Sequence, residues 1–361
     1  MGILTFIVVL VFLIIAHEFG HFMVAKWSGM RVDEFGLGYP PKLWGKKIGE
    51  TEYTINALPF GGFVRIHGED ANAPENDTSR AFSHKPRILQ ALVLLAGVAM
   101  NVLVAWVLLT FILFSGAPRA LTPEQVPDAT NVELAITYVV PGTPADDAGL
   151  KGGDVLQGGS YEENSFTGSS VDDFIHFVGG AADKEVSLVV LRGDEEQNLI
   201  LIPEEGIVEG QAAIGVGLAQ IGTIDLPPLQ LLGESVVVTG VLLKNIAVGL
   251  VSFLYQAVTL SADFSQVAGP IGIAGVVADA GENGIIPLLS LMALISLNLA
   301  VINLLPIPAL DGGRLLFVII ESIIRKPLPA VFAQTANTVG FLLLILLMIV
   351  VSISDIGKLL G

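Results

Sequence analysis

The sequence predicts a polytopic α-helical membrane protein with about four transmembrane helices, a cytoplasmic β-hairpin lobe and one α+β domain on the outer side. Three observations carry that expectation. Of 361 residues 52% are apolar, and the mean hydropathy is +0.71. The apolar residues gather in runs that match the roughly 20 residues needed to cross a bilayer. Charge is segregated: nine of the 18 Lys and Arg lie within 26–87, whereas 115–284 holds five of them and 23 of the 35 acids. The positive-inside bias makes the first stretch cytoplasmic and the second extracytoplasmic. The expected order is a first span at 1–26, a cytoplasmic lobe with a membrane-associated hairpin at 27–87, a second span at 88–114 and an outer region at 115–226. An interfacial helix and connector follow at 227–284, then a third span at 285–325 and a fourth at 331–353. A net charge of −17 without any basic patch interleaved with aromatics excludes nucleic acid as a ligand. With no cysteine there is neither a disulfide nor a thiolate metal site.

The first apolar run, 3–25, has no Lys or Arg ahead of it and no small-residue cleavage site behind it, so it reads as a retained span and not a signal peptide. It nevertheless contains His17, Glu18 and His21. Ionisable groups at membrane depth cost a few kcal/mol or more (about 2.5–3.5 for a central charge) unless they face a cavity, a partner or a metal. His17 and His21 are i and i+4 on a helix and can meet one ion, with Glu18 beside them as a base toward water. This is the HExxH pattern of zinc hydrolases.

Within the lobe, residues 53–57 and 62–67 are β-rich runs around Pro59 and Gly61-Gly62, and they predict a hairpin or pair of strands with irregular turns. An exposed strand there can pair its backbone with an extended peptide, which makes Thr54, Asn56, Gly61 and Gly62 candidate substrate-binding residues. Residues 71–79 are a polar linker. In the middle of the second span the strongly polar side chain is Asn101, which reads as an interhelical hydrogen-bonding group. The outer region predicts a strand, a Pro-Gly turn, a short helix ended by Gly149 and a second strand after Gly152-Gly153-Asp154, then two strands joined at 192–194. Pro141, Gly142, Pro144, Ala145, Ala148, Gly149, Leu150, Gly153 and Asp154 resemble the PDZ pattern, with a core at about 130–205. A PDZ domain binds a peptide terminus or strand by edge addition.

Residues 235–260 are apolar and of membrane length but carry Lys244 and Asn245 near the middle, and they read as interfacial or partly embedded. That choice puts Asp311 in the same half of the bilayer as His17 and His21. A zinc site with two histidines needs a third ligand and an open position for water. Asp311 is the candidate: it follows Pro306 and Pro308, which break the helix, and precedes Gly312-Gly313, so the unwound chain must line an enclosed polar cavity. Asn298 and Asn303 precede the break and either bind substrate or tie helices together.

Together HEFGH at 17–21, NLLPIPALDGG at 303–313, LPFGGFVRI at 58–66, RAFSHKP at 80–86 and AGPIGIAG at 268–275 resemble the site-2 protease family of intramembrane zinc metalloproteases, specifically its bacterial RseP-like branch. Val98 stands where that family usually has proline, and Gly38 to Pro40 replace a more usual GFG. The resemblance implies Zn2+ held by His17, His21 and Asp311, Glu18 as general base, and Asn303 with Asn298 near the substrate. It also implies a multi-pass protein of the bacterial inner membrane, with the PDZ domain outside, that cleaves single-span membrane proteins such as anti-sigma factors or remnant signal peptides. Two rivals remain: a membrane HExxH protease with a Glu as third ligand, and a non-catalytic membrane-anchored PDZ adaptor or chaperone.

Overall fold

A computed structural model of the chain describes residues 2–69, 78–193, 195–208, 210–259, 261 and 268–360. Most of the linker expected at 71–79 lies outside them. The chain divides into two compact units, one formed by Met1–Ile112 with Leu232–Gly361 and the other by Leu113–Leu231.

The first unit is helical. α1 (Gly2–Trp27) and α2 (Arg87–Phe114) run antiparallel: His21 donates from Nδ1 to the Val93 carbonyl at 2.8 Å, and Val104 packs with Val9 and Leu13. They pack tightly at Gly20, where any Cβ would strike the Ala96 carbonyl. α5 (Pro228–Val258) joins α2 through the Trp106 indole N–H, which donates to Ser235 Oγ at 2.9 Å. α6 (Pro270–Glu282) lies against the start of α1, with Ala278 at Gly2. α7 (Ile285–Leu304), α8 (Asp311–Ile324) and α9 (Ala330–Leu360) complete the bundle. Asp355 of α9 accepts from the backbone N–H groups of Gly269 and Gly272 at 3.0 and 2.8 Å, so a carboxylate of one helix caps the start of another. Among the described residues, α1, α2, α5, α7 and α9 are each long and apolar enough to cross a membrane, which fits a polytopic membrane protein. That is one helix more than the four spans counted from sequence; α5 is the addition.

Between α1 and α2, β1 (Val32–Ile48) and β2 (Thr51–Ile66) form a separate sheet. A tight turn at Gly49, φ +63°, joins them. Residues 34–37 of β1 are flanked on one side by 52–55 and on the other by 62–65, the second set in reverse order, so β2 doubles back across Pro59 and Gly61. The two runs singled out from sequence are therefore not each other's hairpin partners, because β1 lies between them. Glu50 in the turn pins this sheet: it accepts from Lys26 Nζ at 2.7 Å and from both terminal nitrogens of Arg80 at 2.6 and 2.8 Å.

Those cations, Arg80 first, hold the Glu50 carboxyl down at about 2 from an ordinary 4.5. Its stabilising contribution is complete above pH 4.5 and drains away as the pH falls from 4.5 toward about 2. Glu50→Gln should therefore lower the melting midpoint at pH 6, with an effect no larger than about 1 kcal/mol because the pair is partly solvent-screened. The gap to the parent should narrow as the pH falls below 4.5 and close only near pH 2, as read by thermal unfolding in detergent.

The second unit is an α+β body. Its seven-stranded sheet has the order β3-β11-β4-β5-β7-β8, with β6 (Asn164–Phe166) beside β5. The strands are β3 (Arg119–Ala120), β4 (Thr130–Val139), β5 (Val155–Tyr161), β7 (Val186–Arg192), β8 (Glu195–Leu201) and β11 (Val216–Thr223). A two-stranded ribbon of β9 (Glu204–Val208) and β10 (Gln211–Ala213) precedes β11. The helices are α3 (Pro144–Asp147) and α4 (Val171–Gly179), the latter N-capped by Ser170 Oγ. Leu134, Ile136, Phe174, Leu188 and Val190 form its core at 2% exposure or less, each contributing about 1.5–3 kcal/mol by burial. Asp154 is buried and held by Arg192 at 2.7 Å, which raises the guanidinium pKa further. β11 lies outside the 130–205 core expected from sequence yet pairs with β4 from Val216 to Thr223.

Candidate metal centre

Two helices supply the central cluster. On α1, apolar side chains occupy the positions around the motif and the i, i+4 spacing stacks His17 and His21, 8% and 7% exposed, on the face turned to α2. Opposite them, α7 ends at Leu304 and the chain stays unwound through Leu310, since Pro306 and Pro308 cannot continue the ladder. The break is tightly built. A Cβ at Gly312 would strike the Leu304 and Leu305 carbonyls and one at Gly313 the Ile307 carbonyl. Ala309 takes φ +80°, and its N–H donates to Asn337 Oδ1 of α9 at 3.2 Å.

The result is a triangle. His17 Nε2 lies 3.0 Å from Asp311 Oδ2, His21 Nε2 lies 3.2 Å from the same oxygen, and the two Nε2 atoms are 3.1 Å apart. A tetrahedral ion with ligands at about 2.0–2.1 Å sets its ligand atoms about 3.3 Å apart, so the three atoms fit zinc with a fourth position open. His21 Nδ1 donates to the Val93 carbonyl, which leaves its Nε2 lone pair aimed at the cluster. The space is also shaped for the two rings: a Cβ at Gly97 of α2 would overlap His21 Nε2 and stand 2.7 Å from His17 Cε1. Gly97→Ala should therefore cut zinc retention by at least about 10-fold. Metal analysis after dialysis against a weak chelator reads it, with Gly233→Ala, which meets nothing, as the control.

Glu18 is half-buried and close enough to His17, His21 and Asp311 to couple with all three electrostatically. Gly62 of β2 lies beside it, since a Cβ there would come 3.4 Å from Glu18 Cγ. Gly61 and Gly62 are buried, and Gly62 opens the 62–65 run, whose strand partner among the described residues is β1. Thr54 and Asn56 are placed differently from the sequence expectation. They lie on the run paired on both sides, and their side chains turn inward, Thr54 Oγ1 donating to Glu34 at 2.7 Å and Asn56 Nδ2 to the Gly38 carbonyl at 3.0 Å. The edge next to the cluster is therefore 62–65 and not 54–56. Asn298 donates to the Leu294 carbonyl of its own helix at 2.9 Å, and Asn303 is half-buried one turn before the break.

An open pocket lined by Ala309, Asp311, Arg314, Asn337, Thr338 and Phe341 reaches Asp311 between α8 and α9. Arg314 and Asn337 also bound a neighbouring cavity of about 250 Å³ that includes Glu69, Arg87 and Glu321, in which Arg314 pairs with Glu69 at 2.5 Å and Arg87 with Glu321 at 2.7 Å. Gly97, Asn337 and Gly340, where a Cβ would strike the Pro308 carbonyl, are parts of the site that sequence reasoning passed over.

The family described as Peptidase family M50 matches residues 5–347. A protein of Clostridium perfringens is 37% identical over 95% of this chain and 95% of its own length, one of Nostoc is 35% identical over 96% and 93%, and one of Clostridium acetobutylicum is 31% identical over 95% and 94%. All three bear the name "putative zinc metalloprotease".

Proposed function

The chain belongs to peptidase family M50 and is a zinc metalloprotease of the membrane, and from that premise we propose that it hydrolyses peptide bonds within or near the transmembrane segments of single-span membrane proteins. The observation that carries this reading is the meeting of His17 Nε2, His21 Nε2 and Asp311 Oδ2 within 3.2 Å, at a break in one apolar helix and beside another. These three side chains hold the zinc, which when bound supplies Lewis acidity toward water and the scissile carbonyl. Glu18 takes a proton from the attacking water on its carboxylate and returns it to the leaving amine.

A substrate helix hides its carbonyls in its own hydrogen bonds and must unwind before it is cut. Pairing with the free side of the 62–65 run compensates for those lost bonds and brings the extended strand past Glu18. Asn303 and Asn298 stand on the approach from α7, where an amide can donate to a substrate carbonyl. The sheet bearing this edge exposes Tyr39, Leu43, Trp44 and Leu58, which suits contact with lipid. Water enters from the polar cavity around Arg314 and Glu69.

The reading includes an inner-membrane protein with four net crossings and a PDZ domain within 115–226 on the outer side. Support comes from α5, which starts beside Trp106 near the far end of α2, while α6 lies against the start of α1. Since α1 and α2 are antiparallel, those two places are at one face, and the stretch between them returns to the side it left. The β4-turn-α3-β5 unit and its buried Asp154 support the PDZ assignment. In that role the domain binds a peptide terminus or outer segment of the substrate and admits it to the site. Substrates of the anti-sigma-factor or remnant-signal-peptide type fit this scheme.

The test is a purified single-span substrate reconstituted with the protein in liposomes, with products mapped by mass spectrometry. The reading predicts a chelator-sensitive cut inside or at the edge of the apolar segment. Cuts confined to the soluble flanks would overturn it.

A further inference from the structure

Asn101 is fully buried on α2, and the proposed mechanism gives it no part. Its amide nitrogen lies 3.2 Å from His17 Nδ1, while its Oδ1 is buried with no hydrogen-bond partner among the described residues. Its backbone carbonyl accepts from Ser296 Oγ of α7 at 2.8 Å, so the residue is fixed from a third helix. For His17 to bind a metal through Nε2 the ring must carry its proton on Nδ1, and that N–H then needs an acceptor. A half-turn of the amide exchanges its two nearly isosteric ends and delivers Oδ1 to that position.

We propose that Asn101 is a positioning residue that accepts the Nδ1 proton of His17 and so holds that ring in the tautomer able to ligate zinc. The inference rests on the zinc-protease reading above. It pairs the two histidines by different devices: His21 is oriented by a backbone carbonyl, Val93 O, and His17 by a side chain, so only the His17 device is open to substitution. It also separates Asn101 from a helix-tying role, because a tie need not specify which end of the amide faces the ring.

The test measures zinc affinity of the full chain in detergent by competition with a chromophoric chelator, for the parent, Asn101→Leu and Asn101→Asp, together with the melting midpoint of each metal-free form. Leucine keeps the volume and removes the acceptor, and should weaken zinc about 10–100-fold. Aspartate keeps an acceptor and should stay within about 3-fold of the parent, well inside that outer-shell range. Leucine binding zinc like the parent, with only a lowered metal-free midpoint, would show a structural tie and overturn the inference. Aspartate losing as much as leucine would overturn it too. A parent that holds no zinc overturns the proposed function and this inference together, so the two failures are distinct. Should a variant not fold, the histidine ¹⁵N spectrum of the metal-loaded parent decides: His17 protonated on Nδ1 and bound through Nε2 supports the assignment, and ligation through Nδ1 contradicts it.

Discussion

Glu18→Gln should abolish proteolysis while leaving the zinc in place. Glutamine preserves the volume of a half-buried residue beside Gly62 but cannot accept a proton, so the loss should fall on turnover by about 10²–10⁴-fold, the usual worth of a general base. His17, His21 and Asp311 are untouched, and metal content per chain should equal that of the parent. Product formation from a single-span substrate and metal analysis on the same preparation read both halves. An active Glu18→Gln variant would assign the base elsewhere, whereas loss of the metal would make Glu18 part of its binding site.

Asp311→Asn should act in the opposite order, on the metal first. The carboxylate oxygen closes the triangle with both imidazoles at 3.0 and 3.2 Å, and its charge is the only anionic contribution from the three grouped residues. Asparagine is a poorer, neutral ligand, and the affinity should fall by more than the 10–100-fold associated with outer-shell changes. Activity should follow the metal down and recover in part at excess zinc. A variant that retained zinc at parent affinity would revive a different third ligand, a glutamate from elsewhere in the chain.

How much of this was legible before the structure depends on how local each feature is. HExxH could be read because i, i+4 geometry is intrinsic to a helix, and Asp311 because two prolines and two glycines around one acid announce a break. Gly97 could not be read, since a glycine in an apolar helix shows its purpose only when the facing imidazoles are known. Asn101 was visible as a polar group in mid-span but its partner was not, because nothing in the sequence says which face of α2 meets His17. The β1–β2 sheet was half legible: residue types marked its strands, but strand order is decided by pairing across the sheet. Inserting β1 between 52–55 and 62–65 moved the open edge from Thr54 to Gly62. β11 was missed because its glycines weaken the strand pattern and its partner β4 lies far back in the chain.

The central claim, a zinc held by two histidines of α1 and the aspartate of α8, is tested most directly by X-ray absorption at the zinc edge on the purified full chain. The account predicts about one zinc per chain with two imidazole nitrogens and oxygen ligands at about 2.0–2.1 Å, and one imidazole fewer in a His21→Ala preparation. A parent with no stoichiometric zinc, or a zinc whose spectrum carries no imidazole scattering, would contradict it.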